Sequence, residues 1–159
     1  MPLSPPPLDE NNSVEPHNHP EIHDSDSVIR RISEQQHIVD DPKVPQGRRV
    51  STKAFNSSSG INGGMSIDLK TRIEVDGLNV KAHVTSPEWI GSVVIGVQLL
   101  RNLGLMVGYD PIEGKPNIKD NLYHGEVWGN FTKSIQKQIL SSAIWFVEVP
   151  NIYLNETAK

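Results

Sequence analysis

The sequence predicts a single α+β (mixed α/β) domain with a central, mostly antiparallel sheet and two main helices. Its 159 residues are enough for one hydrophobic core and too few for two. Several apolar stretches alternate with polar residues at period two, as half-buried strands do, and others repeat their apolar residues at helical spacing. Because predicted strands follow one another along the chain with few helices between them, an α+β sheet is favoured.

Residues 1–27 are predicted to form a disordered acidic tail outside this domain. The segment contains six of the 12 prolines, three of the six histidines and six acidic residues, with no Lys or Arg. A stretch of this composition buries too little apolar surface to offset the entropy lost on ordering. The globular domain is therefore expected over residues 28–150, with a short C-terminal tail at 151–159.

The charge balance of the domain argues against nucleic acid as a partner. Of 19 acidic residues, six belong to the N-terminal segment, so 13 remain against 15 basic ones and the domain carries a net charge of +2. A nearly neutral domain lacks the basic footprint that general nucleic-acid binding requires. The chain has no cysteine, which excludes disulfides, thiol catalysis and cysteine-ligated metals.

Neither a secretory signal nor a membrane span is predicted. The first ten residues lack a basic region followed by an apolar one. The longest apolar run, residues 90–100, is much shorter than the roughly 20 residues that cross a bilayer. We therefore expect a soluble, cytoplasmic protein that does not bind membranes.

The first half of the domain is predicted to consist mainly of strands. Residues 28–33 alternate at period two, and residues 65–69 form a second short strand. Residues 48–55 fit either a strand or a strand running into a short helix, and residues 69–76 satisfy both periods, so these two segments stay open. Further strands are predicted at residues 35–41 and 78–84.

The second half is predicted to contain the two main helices. The first covers residues 87–104, with Pro87 in its first turn and Gly104 just beyond its end. The second follows Thr132, a suitable N-cap, and carries its apolar residues on one side. Strands are predicted around these helices at residues 105–110, at residues 122–129 and, as a final buried strand, at residues 144–150.

Two pairs of arginines are candidate ligand-binding residues. Arginine binds phosphate and carboxylate groups in bidentate fashion, and arginines near strand ends can form such a clamp together with a hydroxyl group. Adjacent residues of a strand point to opposite faces, so one arginine of each pair serves any one site. The candidate ligand-binding residues are Arg30, Arg31, Arg48, Arg49 and Ser51.

Two side chains of the strand at residues 122–129 are candidate catalytic groups. His124 and Glu126 are two residues apart, so both project to one face and can orient a proton or a ribose hydroxyl. His37 is a further candidate for proton transfer. No metal site is assigned, because the possible ligands belong to the segment predicted as disordered, where no fold organises them. These are His17, His19 and His23, with Asp24 and Asp26.

Five stretches follow one another along the predicted domain: RRISEQQHIVDD, GRRVSTKAF, GGMSIDL, YHGEVWG and FTKSIQKQILSSAIWFVEVP. In this order they resemble a widespread group of small bacterial proteins to which no activity is assigned. In that group an R-R-I segment precedes H-x-V, R-x-S-x-x-A-F, M-S-V-D-L and H-x-x-V-x-G segments. The resemblance covers about residues 28–150 and implies a bacterial cytosolic origin.

A weaker similarity links the chain to ADP-ribosyltransferase-like folds. In those folds an early arginine holds the phosphates of NAD, a serine supports the site, and a late glutamate contacts the nicotinamide ribose. The matching positions are Arg30 or Arg31, Ser51 and Glu126, although the usual S-T-S triplet is V-S-T here. The similarity concerns residue order and fold, which do not by themselves carry an activity.

Two functions are compatible with these features. The first is a binding, regulatory or accessory protein whose acidic tail contacts a protein partner; it requires no cofactor and predicts an exposed apolar or charged patch without a pocket. The alternative is a nucleotide-handling enzyme of the ADP-ribosyltransferase type that uses NAD, which predicts a pocket with converging side chains.

Overall fold

The computed structural model describes residues 3–60 and 62–156. The strands are β1 (Ser27–Ile32), β2 (Ile38–Asp40), β3 (Arg48–Val50), β4 (Met65–Asp68), β5 (Gly91–Gly96), β6 (Met106–Tyr109), β7 (His124–Trp128) and β8 (Ile144–Val147). The helices are α1 (Glu34–His37), α2 (Lys70–Val75), α3 (Val80–Val84), α4 (Val97–Asn102) and α5 (Lys133–Ser142), and a 3₁₀ helix covers Thr52–Phe55.

Six of these strands form one sheet in the order β6-β7-β4-β1-β5-β8, and all neighbouring pairs are antiparallel. The short strands β2 and β3 pair separately. The predicted α+β class with a central antiparallel sheet is therefore confirmed.

The central strand β1 divides the core between the two faces of the sheet. Val28 and Ile32 belong to the larger apolar cluster, whereas Ile29 belongs to a smaller one with Ile73 and Val84. Alternate residues of a strand point to opposite faces, so both faces of β1 are covered. Burial of side chains of this size stabilises the fold by about 1.5–3 kcal/mol each.

The helix predicted over residues 87–104 is wrong in its first half, which forms β5 before α4 begins. Consecutive β-branched residues favour a strand, and a strand covered on both faces shows no polar alternation. Gly91 fits this arrangement, because a side chain there would collide with Val149. Periodicity alone does not separate such a buried strand from a buried helix.

The strand predicted over residues 78–84 is also wrong, because this segment contains α3. Val80 and Val84 are both buried on one side of the helix, and the Asn79 side chain caps it by accepting from the Ala82 amide at 2.9 Å. Residues spaced by four satisfy both periods, which explains the error. Of the two open segments, residues 48–55 contain β3 followed by the 3₁₀ helix, and residues 69–76 contain α2. The strand predicted at residues 35–41 begins within α1 and continues as the short strand β2.

The helix predicted after Thr132 is confirmed as α5. The Thr132 hydroxyl accepts from the Ile135 amide at 3.2 Å, as expected of an N-cap. With ten residues α5 is the longest described helix, and none of the described helices is long and apolar enough to span a bilayer.

The prediction that residues 1–27 are disordered is wrong for the described residues of this segment. Leu3 and Ile22 are buried in the main core. The segment also lies along β6: the His19 amide donates to the Val107 carbonyl at 3.0 Å, and the Asn18 side chain accepts from the Val107 amide at 2.9 Å. Composition predicted disorder because it measures apolar content, whereas this segment is held largely by hydrogen bonds to a sheet edge.

The C-terminal residues are likewise packed rather than a free tail. Ile152 and Leu154 are buried, and the Tyr153 carbonyl accepts from the Val50 amide at 2.9 Å. The tail prediction is therefore wrong for residues 151–156, while residues 157–159 lie outside the described part. The strand predicted before them is β8, which lies at the edge of the sheet and is half exposed instead of buried.

The packing of the N-terminal segment predicts unequal effects of two leucine truncations. Leu3 is 7% exposed and Leu8 is 53% exposed. We expect Leu3→Ala to lower the free energy of unfolding by about 2 kcal/mol, and Leu8→Ala by less than about 0.5 kcal/mol. Urea unfolding of both variants measures the difference, and equal midpoints would mean that the segment is not anchored.

Candidate functional site

The candidate site lies on β7, where His124 and Glu126 share one face of the sheet. Their side chains are 12% and 13% exposed. Register fixes their neighbours, because Glu126 pairs with Ser66 of β4 and with Gly108 of β6. The predicted convergence of the two side chains follows from the period of the strand.

Asp110, just beyond β6, is a member of the site that the sequence reading missed. Its amide donates to the His124 carbonyl at 3.0 Å, and its own carbonyl lies 2.7 Å from His124 Nδ1. Because a carbonyl oxygen only accepts, Nδ1 carries the hydrogen, and the neutral ring keeps a lone pair on Nε2. Asp110 meets His124 only through strand pairing, so no sequence spacing indicated it.

Glu126 is the most perturbed acid of the site. Its Oε1 accepts from the Ser66 hydroxyl at 3.3 Å, while its Oε2 is buried without a hydrogen-bond partner among the residues that the structure describes. Burial and then the charge of Asp110 raise the pKa of Glu126 to about 7, although the Ser66 hydrogen bond and Arg30 oppose this. A carboxyl group with this pKa can take or give a proton near neutral pH.

Gly64 covers the Glu126 carboxyl. A Cβ atom added at Gly64 would lie 2.9 Å from Glu126 Oε2 and 2.8 Å from the Val127 carbonyl oxygen. The backbone of the loop before β4 therefore passes directly over the acid, which explains why Oε2 is buried. A glycine is required where backbone approaches so closely.

Asp110, His124 and Glu126 together form a set of metal-ligand type. Each offers one ligand atom, and these atoms lie within 4.8 Å of one another. One imidazole nitrogen and two carboxylate oxygens suit a divalent transition metal.

Arg30 lies near this site but is engaged by the backbone. Its Nε donates to the Ala54 carbonyl at 2.7 Å and its Nη1 to the Ser66 carbonyl at 2.9 Å. Burial lowers the pKa of Arg30 to about 10, and the nearby carboxylates of Glu126 and Asp68 oppose the shift. Arg30 therefore links β1, β4 and the 3₁₀ helix, and its charge lies within reach of Glu126.

Arg31 points to the opposite face, as the strand period predicted, and binds Asp68. Its Nε and Nη2 donate to the two carboxylate oxygens at 2.8 and 2.9 Å. Asn121 Nδ2 donates to Asp68 Oδ1 at 2.8 Å, and His83 Nε2 lies 3.5 Å from the same oxygen. Burial raises the pKa of Asp68, but the hydrogen bonds from His83, Arg31 and Asn121 outweigh it and hold the value at about 2.

The second arginine pair lies apart from the first, in the β2–β3 hairpin. Arg48 Nε lies 3.5 Å from Asp40 Oδ1, and Arg49 Nε lies 2.7 Å from Asp41 Oδ2. Each arginine thus pairs with an acid of its own hairpin. The structure does not join the two pairs in one clamp.

Ser51 and His37 stabilise the same local structure. The Ser51 hydroxyl accepts from the Lys53 amide at 3.1 Å and caps the 3₁₀ helix. His37 Nδ1 accepts from the Ser33 amide at 3.0 Å. Burial and then the charge of Arg30 lower the pKa of His37 to about 4, so its ring is neutral at pH 7.

The predicted site residues line neither of two concavities found in the described part of the chain. One is a small, partly open cavity of about 10 Å³ between the N-terminal segment and α2, with room for about one water molecule. The other is an open depression along α5, lined by Lys133, Ser134, Lys137, Gln138 and Ser141.

A second exposed feature is the free edge of the sheet at β8. The strand pairs with β5 on one side, and no described strand pairs with its other side. Ile144 is 63% exposed, and Trp145 and Phe146 are half-buried. An apolar strand at an open edge is a site where another extended chain can pair.

Comparisons with known proteins leave this geometry as the basis for a functional assignment. No protein-family model, curated protein or solved structure matches the chain.

The network around Asp68 predicts a defined pH dependence of stability. The folded-state pKa of Asp68, about 2, is below the unfolded value of about 3.9. Its stabilising contribution is therefore complete above pH 4 and is lost as the pH falls through 2. We expect Asp68→Asn to lower the free energy of unfolding at pH 7 by about 3–5 kcal/mol, because Arg31 loses its partner charge.

Urea unfolding of the wild type and of Asp68→Asn at pH 7 and at pH 2 measures this effect. The gap between the two proteins should shrink at the lower pH. Asp40→Asn is the matched control, since Asp40 pairs with Arg48 at the surface and has a 92% exposed side chain; its midpoint should not change. A constant gap at both values would contradict the assigned role of Asp68.

Proposed function

We propose that this chain is a small bacterial cytosolic binding or accessory protein that pairs with an extended, apolar segment of a protein partner at β8. The observation that carries the proposal is the open edge of β8 with exposed Ile144. Strand addition at a sheet edge supplies backbone hydrogen bonds, and alternate side chains supply specificity. The apolar side chains of β8 favour a segment with apolar residues at every second position.

The opposite edge of the same sheet supports the choice of β8. There the N-terminal segment covers β6, and His17 Nε2 accepts from the Tyr109 amide at 3.1 Å while Asn18 accepts from Val107. Natural sheets usually cover or charge an edge to prevent unwanted pairing. Ile144–Val147 has no charged residue or proline, and an edge of this kind is suited to a partner.

Arg30 and Arg31 form hydrogen bonds within the protein, which also favours a binding protein over a nucleotide-handling enzyme. Arg30 and Arg31 both donate to protein oxygens, and Ser51 caps a helix. The donors used in these hydrogen bonds are no longer available to hold a nucleotide phosphate. Breaking a buried charge-assisted hydrogen bond is costly, which disfavours that use.

The acidic N-terminal segment is a second surface for a protein partner. Its bound conformation leaves Glu10 and Glu15 exposed. A basic partner would recognise these carboxylates, whereas a partner at β8 would depend on apolar contact. The two surfaces are distinguishable by substitution.

We expect Ile144→Lys to weaken partner binding at least tenfold without lowering stability, because a charge on an exposed edge opposes apolar strand pairing. Ile118→Lys is the matched control, since Ile118 is also exposed, at 53%, and lies in a loop. Proteins that co-purify with the wild-type chain from its source identify the partner. Calorimetric titration with the purified partner then gives the affinities of both variants.

The outcome of that titration decides between the surfaces. Equal affinity of Ile144→Lys and the wild type would exclude β8 as the site. Loss of binding in Glu10→Lys with Glu15→Lys, while Ile144→Lys binds normally, would place the partner on the acidic segment instead.

A nucleotide-handling enzyme of the ADP-ribosyltransferase type is the second candidate. It is favoured by the raised pKa of Glu126, which suits an acid or base next to His124, and by the nearby charge of Arg30. If NAD binds there, millimolar NAD should raise the melting temperature, and Glu126→Gln should change that shift. For the binding-protein proposal we expect no thermal shift with NAD in either protein.

A further inference from the structure

We propose that Asp110, His124 and Glu126 bind one divalent first-row transition-metal ion. The proposed ligands are His124 Nε2 and one carboxylate oxygen from each acid. All three come from two adjacent strands, where β6 ends beside β7. The proposal concerns a different surface from β8 and does not depend on strand addition there.

The orientation of the His124 ring is the first argument. Its Nδ1 hydrogen is directed to the Asp110 carbonyl at 2.7 Å, which fixes the tautomer. Its Nε2 lies 3.9 Å from Glu126 Oε1, and Asp110 Oδ2 lies 3.6 Å from Nδ1, so neither carboxylate is close enough to form a hydrogen bond with the ring. Metal-bound histidines usually have this arrangement, with one nitrogen held by a backbone carbonyl and the other turned to the ion.

The unpaired carboxylate oxygen of Glu126 is the second argument. Oε2 is buried and has no hydrogen-bond partner in the described part of the chain. A buried acceptor without a partner is uncommon, and a bound ion is one of its accepted explanations. When both are ionised, two carboxylates beside a neutral imidazole carry two negative charges, which a divalent cation balances.

The approach to the site is restricted by glycine backbone and by the N-terminal segment. Gly64 lies against Glu126 Oε2, and the His17 ring lies over Gly108, where an added Cβ would be 2.7 Å from the ring. The loop before β4 and the N-terminal segment therefore enclose the ligand set. Enclosure reduces competition from water for the ion and fixes the positions of the ligands.

The N-terminal histidines do not supply a competing site in this fold. His17 Nδ1 lies 2.8 Å from the Glu15 carbonyl, and its Nε2 accepts from the Tyr109 amide. His19 Nε2 lies 2.9 Å from the Ser4 carbonyl, and its Nδ1 accepts from the Glu21 amide. Both nitrogens of each ring are occupied, so neither histidine is free to bind an ion.

The donor set indicates the class of metal. Magnesium and calcium prefer oxygen ligands, whereas imidazole together with carboxylate suits zinc, cobalt, iron or manganese. Affinity for a site of mixed nitrogen and oxygen donors increases from manganese to copper and falls again at zinc, which still binds more tightly than manganese. We therefore expect Zn²⁺ to bind more tightly than Mn²⁺, with Mg²⁺ binding weakest.

Calorimetric titration of the full chain with ZnCl₂ after chelator treatment tests the proposal. We expect one ion per chain and a Kd for Mg²⁺ at least a hundredfold weaker than that for Zn²⁺. Each of His124→Gln, Glu126→Gln and Asp110→Asn should weaken Zn²⁺ binding at least tenfold. His23→Gln is the matched control, because His23 is exposed on the N-terminal segment, and this variant should bind like the wild type.

A second readout separates loss of a ligand from loss of the fold. Circular dichroism and urea unfolding show whether each variant is folded, and Co²⁺ loaded into the wild type should give visible absorption that His124→Gln abolishes. Three results would overturn the proposal: no saturable binding at millimolar Zn²⁺, unchanged affinity in a folded His124→Gln or Glu126→Gln variant, or loss of binding in His23→Gln.

Discussion

An open antiparallel sheet has two edges, and each edge exposes a row of backbone amides and carbonyls that must be paired, hydrated or covered. This protein covers one edge with its own N-terminal segment, where Asn18 and His17 accept from amides of β6. The apolar residues Leu3 and Ile22 anchor that segment in the core. The other edge, β8, stays open, and the proposed function follows from this difference between the two edges.

The central strand β1 imposes a second constraint, because it carries two consecutive arginines into the middle of the sheet. Arg30 is held by carbonyl oxygens of the neighbouring elements, and Arg31 is held by the buried Asp68. A buried charge without a partner destabilises a fold by several kcal/mol. These arginines therefore connect strands and helices, and their phosphate-binding ability is already used within the protein.

The cluster of Asp110, His124 and Glu126 differs from these networks in that its hydrogen bonds are incomplete. Around Asp68 the carboxylate oxygens accept hydrogen bonds from Arg31 and Asn121, whereas Glu126 Oε2 accepts none from residues 3–60 and 62–156. A structural network is stable when every buried polar group is satisfied. An unsatisfied acid next to a histidine with a free nitrogen is an arrangement that a bound ion completes.

The sequence by itself determined the α+β class, the strands β1, β4, β6 and β7, the capped helix α5, and the shared face of His124 and Glu126. These features depend on local periodicity and capping, which neighbouring residues encode. Only the tertiary structure decided that residues 91–96 form a strand, that the N-terminal segment is packed, and that Asp110 joins the site. Each of these depends on contacts between segments that are distant in the sequence. The composition and hydrophobic periodicity of one segment do not show which other segment it pairs with.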